Sequence, residues 1–310
     1  MAKHFLEIRK LSKKEIIDLI NLSIKIKKNP KKYSKSLLGK TLLLFFEAPS
    51  LRTEVSLETA VFQMGGEPIA FHSENSPWKF GKETIEDVAR VISQYCDIDA
   101  LRIYSHEDLV NFAKNSKIPV INAMDNKEHP LQLIADLMTI LERKKKLNGL
   151  KLCYLGDGNN NVTNSLMYGC SKIGMNISVG CPEGKEYDVQ RNILIESKKF
   201  ARKNKSSVEV YHNAKDAVKD ADVVYTDSWM SYRINPSEKK KRFKVFNEFQ
   251  VNNKIMKHAK KNAIFMHCLP AKRGDEVTKQ VIDGKQSVVF QQAKNRLFSE
   301  KAVLYKLLRN

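Results

Sequence analysis

The sequence predicts an α/β protein: two doubly wound parallel-sheet domains joined by long interdomain helices. Three observations carry that prediction. Short continuous apolar runs alternate with amphipathic segments along the whole chain, the pattern of βαβ units around a buried parallel sheet. The alternation restarts after a long helical segment near residues 130–147. The 310 residues exceed one ordinary core and suit two domains of about 150 residues each.

Residues 13–27 carry Ile16, Ile17, Leu19, Ile20, Leu22 and Ile24 at a spacing that suits an amphipathic helix, with Ser12 as its N-cap. The apolar run at 41–46 is a buried strand, which Ala48-Pro49 breaks. Ser50 then caps a helix through Met64, and Gly65-Gly66 ends it. Strands at 68–71, 100–104 and 120–123 alternate with helices at 84–95 and 107–116. The long helix runs from 130 to about 146, with Leu131, Leu133, Ile134, Leu137, Met138 and Leu141 at helical spacing. Strands at 150–155, 176–180 and 207–211 then alternate with helices at 164–173 and 188–204. Apolar runs at 223–225, 264–266 and 288–290 continue the strand pattern, and a last helix covers about 299–308. No short internal repeat is present. The expected division is a first domain over residues 1–133, with a C-terminal helix at about 292–310 packing back onto it, and a second domain over 134–291. Open parallel sheets bind ligands at the carboxyl ends of their strands, so the strand-terminal segments are where chemistry belongs.

Composition narrows the function classes. Hydrophobic residues at 42%, with fourteen Phe and two Trp, exclude a wholly disordered chain. The net charge of +19 would suit nucleic acid or an anionic membrane. The basic residues are mostly Lys, however, and are spread over many segments such as 25–35, 144–146 and 239–241. They read as solvated faces, and neither a nucleic-acid nor a membrane partner is expected. A positive field would still draw in a small anionic substrate. The five cysteines are odd in number and form no CxxC, which predicts a reducing compartment. The N-terminus lacks the apolar core of about 7–15 residues of a secretory signal, and no apolar run approaches the roughly 20 residues of a membrane span. A soluble, cytoplasmic protein is expected.

Five constellations lie at strand ends. Ser50-Leu51-Arg52-Thr53 stands at a helix N-terminus, where free N–H groups, hydroxyls and a guanidinium fork suit an anion; an ordinary cap with a surface Arg is the bland reading. His129-Pro130-Leu131-Gln132 opens the long helix, with Pro130 in its first turn. A neutral His there can donate to a carbonyl oxygen and Gln132 can bind an amide, or both can serve as cap and solvent-facing residue. Gly156-Asp157-Gly158-Asn159-Asn160-Asn161 has only part of a dinucleotide fingerprint: the third glycine is missing, and no acidic residue ends the next strand. The Asn run suits a polar ligand or simply a polar turn. Asp227, after the run at 223–225, could hold an ammonium group or be a structural strand-end Asp. His267-Cys268-Leu269-Pro270 could suggest a cysteine nucleophile, but sequence neighbours need not face each other. No spacing resembles a metal-ligand set, so no metal is expected, and the incomplete dinucleotide fingerprint leaves no organic cofactor expected either.

Together, in this order and spacing, these segments resemble the aspartate/ornithine carbamoyltransferase family over nearly the full chain. Ser50-Leu51-Arg52-Thr53 is similar to its Ser-Thr-Arg-Thr phosphate loop, and His129-Pro130-Leu131-Gln132 to its His-Pro-x-Gln signature. Arg102 and Arg296 stand where the family has phosphate-binding arginines. His267-Cys268-Leu269-Pro270 is similar to the ornithine-type signature; the Pro-Leu-x-Arg segment of aspartate-type members is absent. The resemblance implies transfer of a carbamoyl group from carbamoyl phosphate to an amine, with the first domain binding carbamoyl phosphate and the second ornithine. It implies that Ser50, Leu51, Arg52, Thr53, Arg102 and Arg296 bind the phosphate. His129, Thr53 and Arg102 would polarise the carbamoyl carbonyl, and Gln132 with the carbonyls near Cys268 and Leu269 would accept from its NH2. Asn161, or the adjacent Asn160, with Asp227, Ser231, Tyr232, Cys268 and Leu269, would hold the amino acid. By the same resemblance Arg102, His129, Asp227 and Cys268 would carry the catalytic roles.

Departures concern the acceptor. Ser231-Tyr232-Arg233 replaces the usual Ser-Met-Gly, Leu51 replaces a Thr, and Lys294 replaces a Glu before Asn295-Arg296. A transferase for putrescine or an N-acylated ornithine therefore stands beside the ornithine reading. From another class, a non-catalytic anion- or nucleic-acid-binding relative stands on the +19 charge. The resemblance further implies a homotrimer, or a multiple of trimers, in which a loop near residues 76–83 reaches a neighbouring site.

Overall fold

The computed structural model describes residues 3–72, 78, 81–230 and 234–309. Ser231, Tyr232 and Arg233, and much of the expected loop near 76–83, lie outside the described residues. The chain divides into two compact units, Met1–Met138 with Lys294–Asn310, and Thr139–Ala293.

In the first unit the strands are β1 (Thr41–Phe46), β2 (Glu67–His72), β3 (Ile98–Arg102) and β4 (Val120–Met124). They pair in parallel in the order β2-β1-β3-β4. The helices are α1 (Lys13–Lys28), α2 (Leu51–Phe62), α3 (Ile85–Ile92), α4 (His106–Asn115) and α5 (Pro130–Lys144), the last continuing into the second unit. Every residue of β3 and β4 is buried, as expected of strands covered on both faces, whereas the edge strand β2 is mostly exposed. Ser12 caps α1 through a reciprocal box: its hydroxyl accepts from Glu15 N–H, and the Glu15 carboxylate accepts from Ser12 N–H. Trp78 stacks on Phe45 at 4.5 Å between ring centroids, filling the core beside β1.

The second unit holds β5 (Lys151–Leu155), β6 (Asn176–Gly180), β7 (Val208–Tyr211), β8 (Val223–Thr226) and β9 (Ile264–His267), parallel in the order β7-β6-β5-β8-β9. Its helices are α6 (Asn161–Ile173), α7 (Arg191–Asn204), α8 (Ala214–Val218), α9 (Lys239–Phe246), α10 (Asn253–Met256) and α11 (Lys279–Ile282). Strand order reverses on either side of β5, which makes the ends of β5 and β8 the place where an open sheet leaves a crevice. Helix α12 (Val289–Leu308) ends the chain.

Several elements differ from expectation, the short helices α8, α10 and α11 among them, for which the sequence carries no clear period. The run at 288–290 is not a strand. Val289 opens α12, ten residues before the helix start expected at 299. Three apolar residues carry no period, and Val288 and Val289 are buried while Phe290 is 70% exposed, the one-sided burial of a helix start. Helix α9 was not anticipated, because Lys-Lys-Lys-Arg-Phe-Lys-Val-Phe reads as a charge run. Among the described residues, no helix is long and apolar enough to cross a membrane.

Candidate active site

In the first unit, β1 and β3 end side by side, with Glu47 N–H donating to Arg102 O at 2.8 Å. Ser50 is the N-cap of α2, and its hydroxyl accepts from Thr53 N–H at 3.3 Å. Leu51 extends its side chain into solvent, which leaves its backbone N–H as the part it can offer at the helix N-terminus. Arg52 is half-buried and Thr53 buried. Arg102 is buried at the end of β3, and its Nε donates to Ala48 O at 3.1 Å, tying the guanidinium to the loop after β1.

Arg296 arrives from α12. Its Nη1 donates to Gln132 Oε1 at 2.9 Å and its Nη2 to Thr53 Oγ1 at 3.1 Å. Nε and Nη2 also donate to Glu300 Oε1, at 3.0 and 2.8 Å. These bonds account for four of the five guanidinium N–H groups and leave one on Nη1. Gln132 in turn donates from Nε2 to Asp136 Oδ1 at 2.7 Å. One cation thus joins the first turn of α2 to the first turn of α5.

His129 is buried at the start of α5. Burial first, and then the guanidinium charges of Arg296, Arg102 and Arg52, hold its imidazole well below the usual range. The ring is neutral at physiological pH, so it can donate a hydrogen bond without adding a fourth positive charge. The turn that delivers it is built from groups sequence reasoning missed. Asp125 Oδ1 accepts from the backbone N–H groups of Lys127 and Glu128, each at 2.7 Å. Asp125 Oδ2 bonds His106 at 2.5 Å and accepts from Asn122 at 3.0 Å. The Glu128 carboxyl, pushed up to about 8 by burial, accepts from Ile8 N–H at 2.7 Å. The only sequence signal for this frame was an Asp-Asn pair shortly before His129-Pro130.

In the second unit, Asp227 follows β8 and Cys268 follows the neighbouring β9. The Cys268 thiol donates to Asp227 Oδ1 at 3.0 Å, and Ser228 N–H donates to the same oxygen at 2.7 Å. Asn160 Nδ2 donates to Asp227 Oδ2 at 3.4 Å, while Asn160 Oδ1 caps α6 by accepting from Val162 N–H at 2.7 Å. Asn161 is the first residue of α6 and is half-buried. Leu269 takes a left-handed φ of 59°, and its N–H donates to His267 Nδ1 at 2.8 Å.

The glycines shape this edge for packing. Gly156 adopts φ 134°, open to glycine but strained for other residues. A Cβ on Gly158 would lie 2.8 Å from Tyr187 O and 2.9 Å from Cys181 Sγ. Beyond Asp227, Arg242 is ion-paired with buried Asp157 and donates to Trp229 O at 2.8 Å. Trp229 packs between Phe243 and Phe246. Beside it lies a cavity of roughly 410 Å³ whose lining includes Ser228, Met230, Lys239 and Lys272.

Asp227, His267 and Cys268 bring a carboxylate, an imidazole and a thiol within 4.8 Å of one another, but they fit a metal poorly. His267 Nδ1 accepts from Leu269 N–H, so the proton sits on Nε2 and points to buried Glu276 Oε1 at 3.2 Å. Neither ring nitrogen has a lone pair to offer.

Comparison with known proteins settles the family. The pattern of the aspartate/ornithine carbamoyltransferase carbamoyl-P binding domain matches residues 3–142, and that of the Asp/Orn binding domain matches residues 148–307. The chain belongs to the aspartate/ornithine carbamoyltransferase family. Within that family it is similar to a catabolic ornithine carbamoyltransferase of Thermoplasma volcanium, 46% identical over 96% of this chain and 95% of the other. It is 42% identical to an ornithine carbamoyltransferase of Methanocaldococcus jannaschii over 97% of each chain. Among solved structures, that of ornithine carbamoyltransferase from Pyrococcus furiosus superposes with a TM-score of 0.92 at 42% identity, covering 98% of this chain and 96% of the other. An N-acetyl-L-ornithine transcarbamylase superposes with a TM-score of 0.88 at 29% identity, covering 98% and 99%.

Proposed function

We propose that this carbamoyltransferase moves the carbamoyl group of carbamoyl phosphate to the side-chain amine of L-ornithine, giving L-citrulline and phosphate. The observation that carries the choice of acceptor is the Cys268–Asp227 pair at the ends of neighbouring strands, within a His-Cys-Leu-Pro segment. Relatives named ornithine carbamoyltransferase support the same reading.

The donor is assigned to the first unit. Arg52, Arg102 and the remaining Nη1–H of Arg296 bind phosphate oxygens, helped by Ser50, Thr53 and the N–H groups of residues 51–53. Neutral His129, with Thr53 and Arg102, donates to the carbamoyl oxygen as negative charge develops there. Gln132, oriented by Arg296 and Asp136, accepts from the carbamoyl NH2 through its second Oε1 lone pair. The acceptor is assigned to the second unit, where Asp227, Cys268, Leu269, Asn160 and Asn161, with Ser231 and Tyr232, position the amino acid. The amine attacks the carbonyl carbon as its neutral form, and phosphate leaves. The acceleration this mechanism calls for comes from orientation and preorganised charge.

A second acceptor, putrescine or an N-acylated ornithine, is favoured by Tyr232-Arg233 and by the likeness to the N-acetyl-L-ornithine transcarbamylase. The test offers purified protein and carbamoyl phosphate with ornithine, putrescine, N-acetylornithine and aspartate in turn, and measures ureido product. Citrulline formed far more slowly than another product would sink the ornithine reading, and no product with any amine would favour a binding protein. Arg52→Ala should abolish turnover and weaken carbamoyl phosphate binding; unchanged kinetics would remove the phosphate assignment. The proposal includes a cytoplasmic homotrimer working in the direction of arginine synthesis, tested by light scattering and by growth of an arginine auxotroph carrying the gene.

A further inference from the structure

A second cluster lies at the carboxyl ends of β6 and β7. These strands pair in register, Gly180 opposite Tyr211, so the next residues, Cys181 and His212, emerge side by side. Cys181 N–H donates to Tyr211 O at 3.0 Å, which fixes the two chain ends together. The loop after Cys181 returns Asp188 to the same place. Cys181 Sγ lies 3.5 Å from Asp188 Oδ1, and His212 Nε2 lies 3.9 Å from Asp188 Oδ2. The three donor atoms all fall within 4.8 Å of one another.

The orientation of each group matters more than the proximity. His212 Nδ1 lies 3.1 Å from Cys181 O, an acceptor, so the ring proton sits on Nδ1 and the Nε2 lone pair faces the carboxylate and the thiol. A histidine whose second nitrogen is held by a backbone carbonyl is the arrangement that fixes imidazole ligands to metals. Asp188 Oδ1 accepts from Val189 N–H at 2.6 Å, which leaves Oδ2 on the His212 side. Bond lengths of about 2.0–2.3 Å in a tetrahedral zinc site put ligand atoms roughly 3.3–3.7 Å apart. Cys181 Sγ and His212 Nε2 approach opposite oxygens of Asp188, at 3.5 and 3.9 Å, and all donors lie within 4.8 Å, so closing them on one ion takes side-chain movement of up to about 1 Å.

We propose that Cys181, Asp188 and His212 form a binding site for a zinc-class divalent cation, with three protein ligands and water in the fourth position. The mixed sulfur, nitrogen and oxygen set favours zinc or cobalt over magnesium or calcium. Asp188 and His212 are partly exposed, at 36% and 38%, so the fourth position opens to solvent and the ion has a path in. Burial, reinforced by the Asp188 carboxylate, holds the Cys181 thiol above its ordinary range. The incoming cation displaces that proton to solvent as the sulfur–metal bond forms. Occupancy would clamp the loop 181–190 to the end of β7. The site is independent of the proposed transferase chemistry, which uses other residues.

The test uses the full chain carrying Cys268→Ser, so that the thiol beside Asp227 adds no signal. Stripped protein is titrated with Co²⁺ and then Zn²⁺. One equivalent of cobalt should bind with a thiolate-to-cobalt charge-transfer band, and one equivalent of zinc should abolish it. Cys181→Ser should remove the band. His212→Ala, at an exposed position and checked by thermal melting, should weaken binding more than about 100-fold, because even outer-shell losses cost roughly 10–100-fold. No thiolate band at one equivalent of cobalt, or a band unchanged in His212→Ala, would overturn the site and leave Cys181 as a buried thiol hydrogen-bonded to Asp188.

Discussion

Arg296 does two jobs with one guanidinium, and replacing it with Met separates them. The side chain is buried, and its partner Glu300 is fully buried with Oε1 accepting from both Nε and Nη2. Removing the cation leaves a buried carboxylate without its counter-ion, a change that costs about 3–5 kcal/mol. Burial already holds the Glu300 carboxyl above its ordinary range, so protonation should keep the cost toward the lower end. In Arg296→Met/Glu300→Leu the buried charge is gone, and apolar replacements of similar volume often restore stability. The double variant should therefore regain at least about 2 kcal/mol over the single one in urea unfolding. Turnover should not return, because the links to Gln132 Oε1 and Thr53 Oγ1, and with them the phosphate contact proposed for Arg296, are absent from both. A double variant with stability and ureido synthesis near the parent would show that Arg296 does no more than neutralise Glu300. A single variant as stable as the parent would refute the cost assigned to the buried carboxylate.

Further outcomes follow from the same geometry. Asp227→Asn should raise the KM for the amine acceptor by roughly 10–100-fold, the worth of a hydrogen bond to a charged group, with carbamoyl phosphate binding unchanged. Cys268→Ser retains a donor toward Asp227 and should lose less; equal effects of the two changes on both substrates would contradict the acceptor assignment. Gly158→Ala should destabilise the second unit by about 1–3 kcal/mol, since its Cβ would press on Tyr187 O and Cys181 Sγ, and an unchanged urea midpoint would refute that packing. His106 gives a pH signature. Burial opposes its charge, but the carboxylates of Asp125 and Glu7 lift it from 6.5 to about 9. Glu7 is likewise opposed by burial and held down to about 2 by His106 and Lys10. Stability from this cluster is full between about pH 5 and 6.5; it falls as pH rises through 9 and as pH drops toward 2, by about 3 kcal/mol at each limit. An alkaline limb that persists in His106→Asn would assign it to another group.

Much of this molecule was legible because its strands are buried on both faces. Continuous runs such as 41–46 and 120–123 announce themselves in parallel sheets, and the residues at their ends fall where an open sheet binds ligands. What stayed hidden depends on partners far along the chain. Glu300 looked like one polar residue of a terminal helix, but it shares the Arg296 guanidinium with Thr53 and Gln132. Arg242 sat in a lysine run and gave no hint of its pairing with Asp157 or its bond to Trp229 O. The Val288 to Phe290 segment misled because three apolar residues cannot distinguish a strand from a helix start.

Asn160 imposes a constraint of a different sort. Helix caps are ordinarily among the freest positions to exchange, since Ser, Asp and Asn serve almost equally well. Here the cap oxygen belongs to α6 and the amide nitrogen of the same group belongs to Asp227. Asp at this position would keep the helix and set a second negative charge against Asp227, and Ser would keep the helix but remove the donor. A variant screen scored on folding would accept all three residues, and one scored on turnover should keep only Asn. The residue is thus written twice into the protein, once in secondary structure and once in the bond to Asp227, and only the second message is particular about spelling.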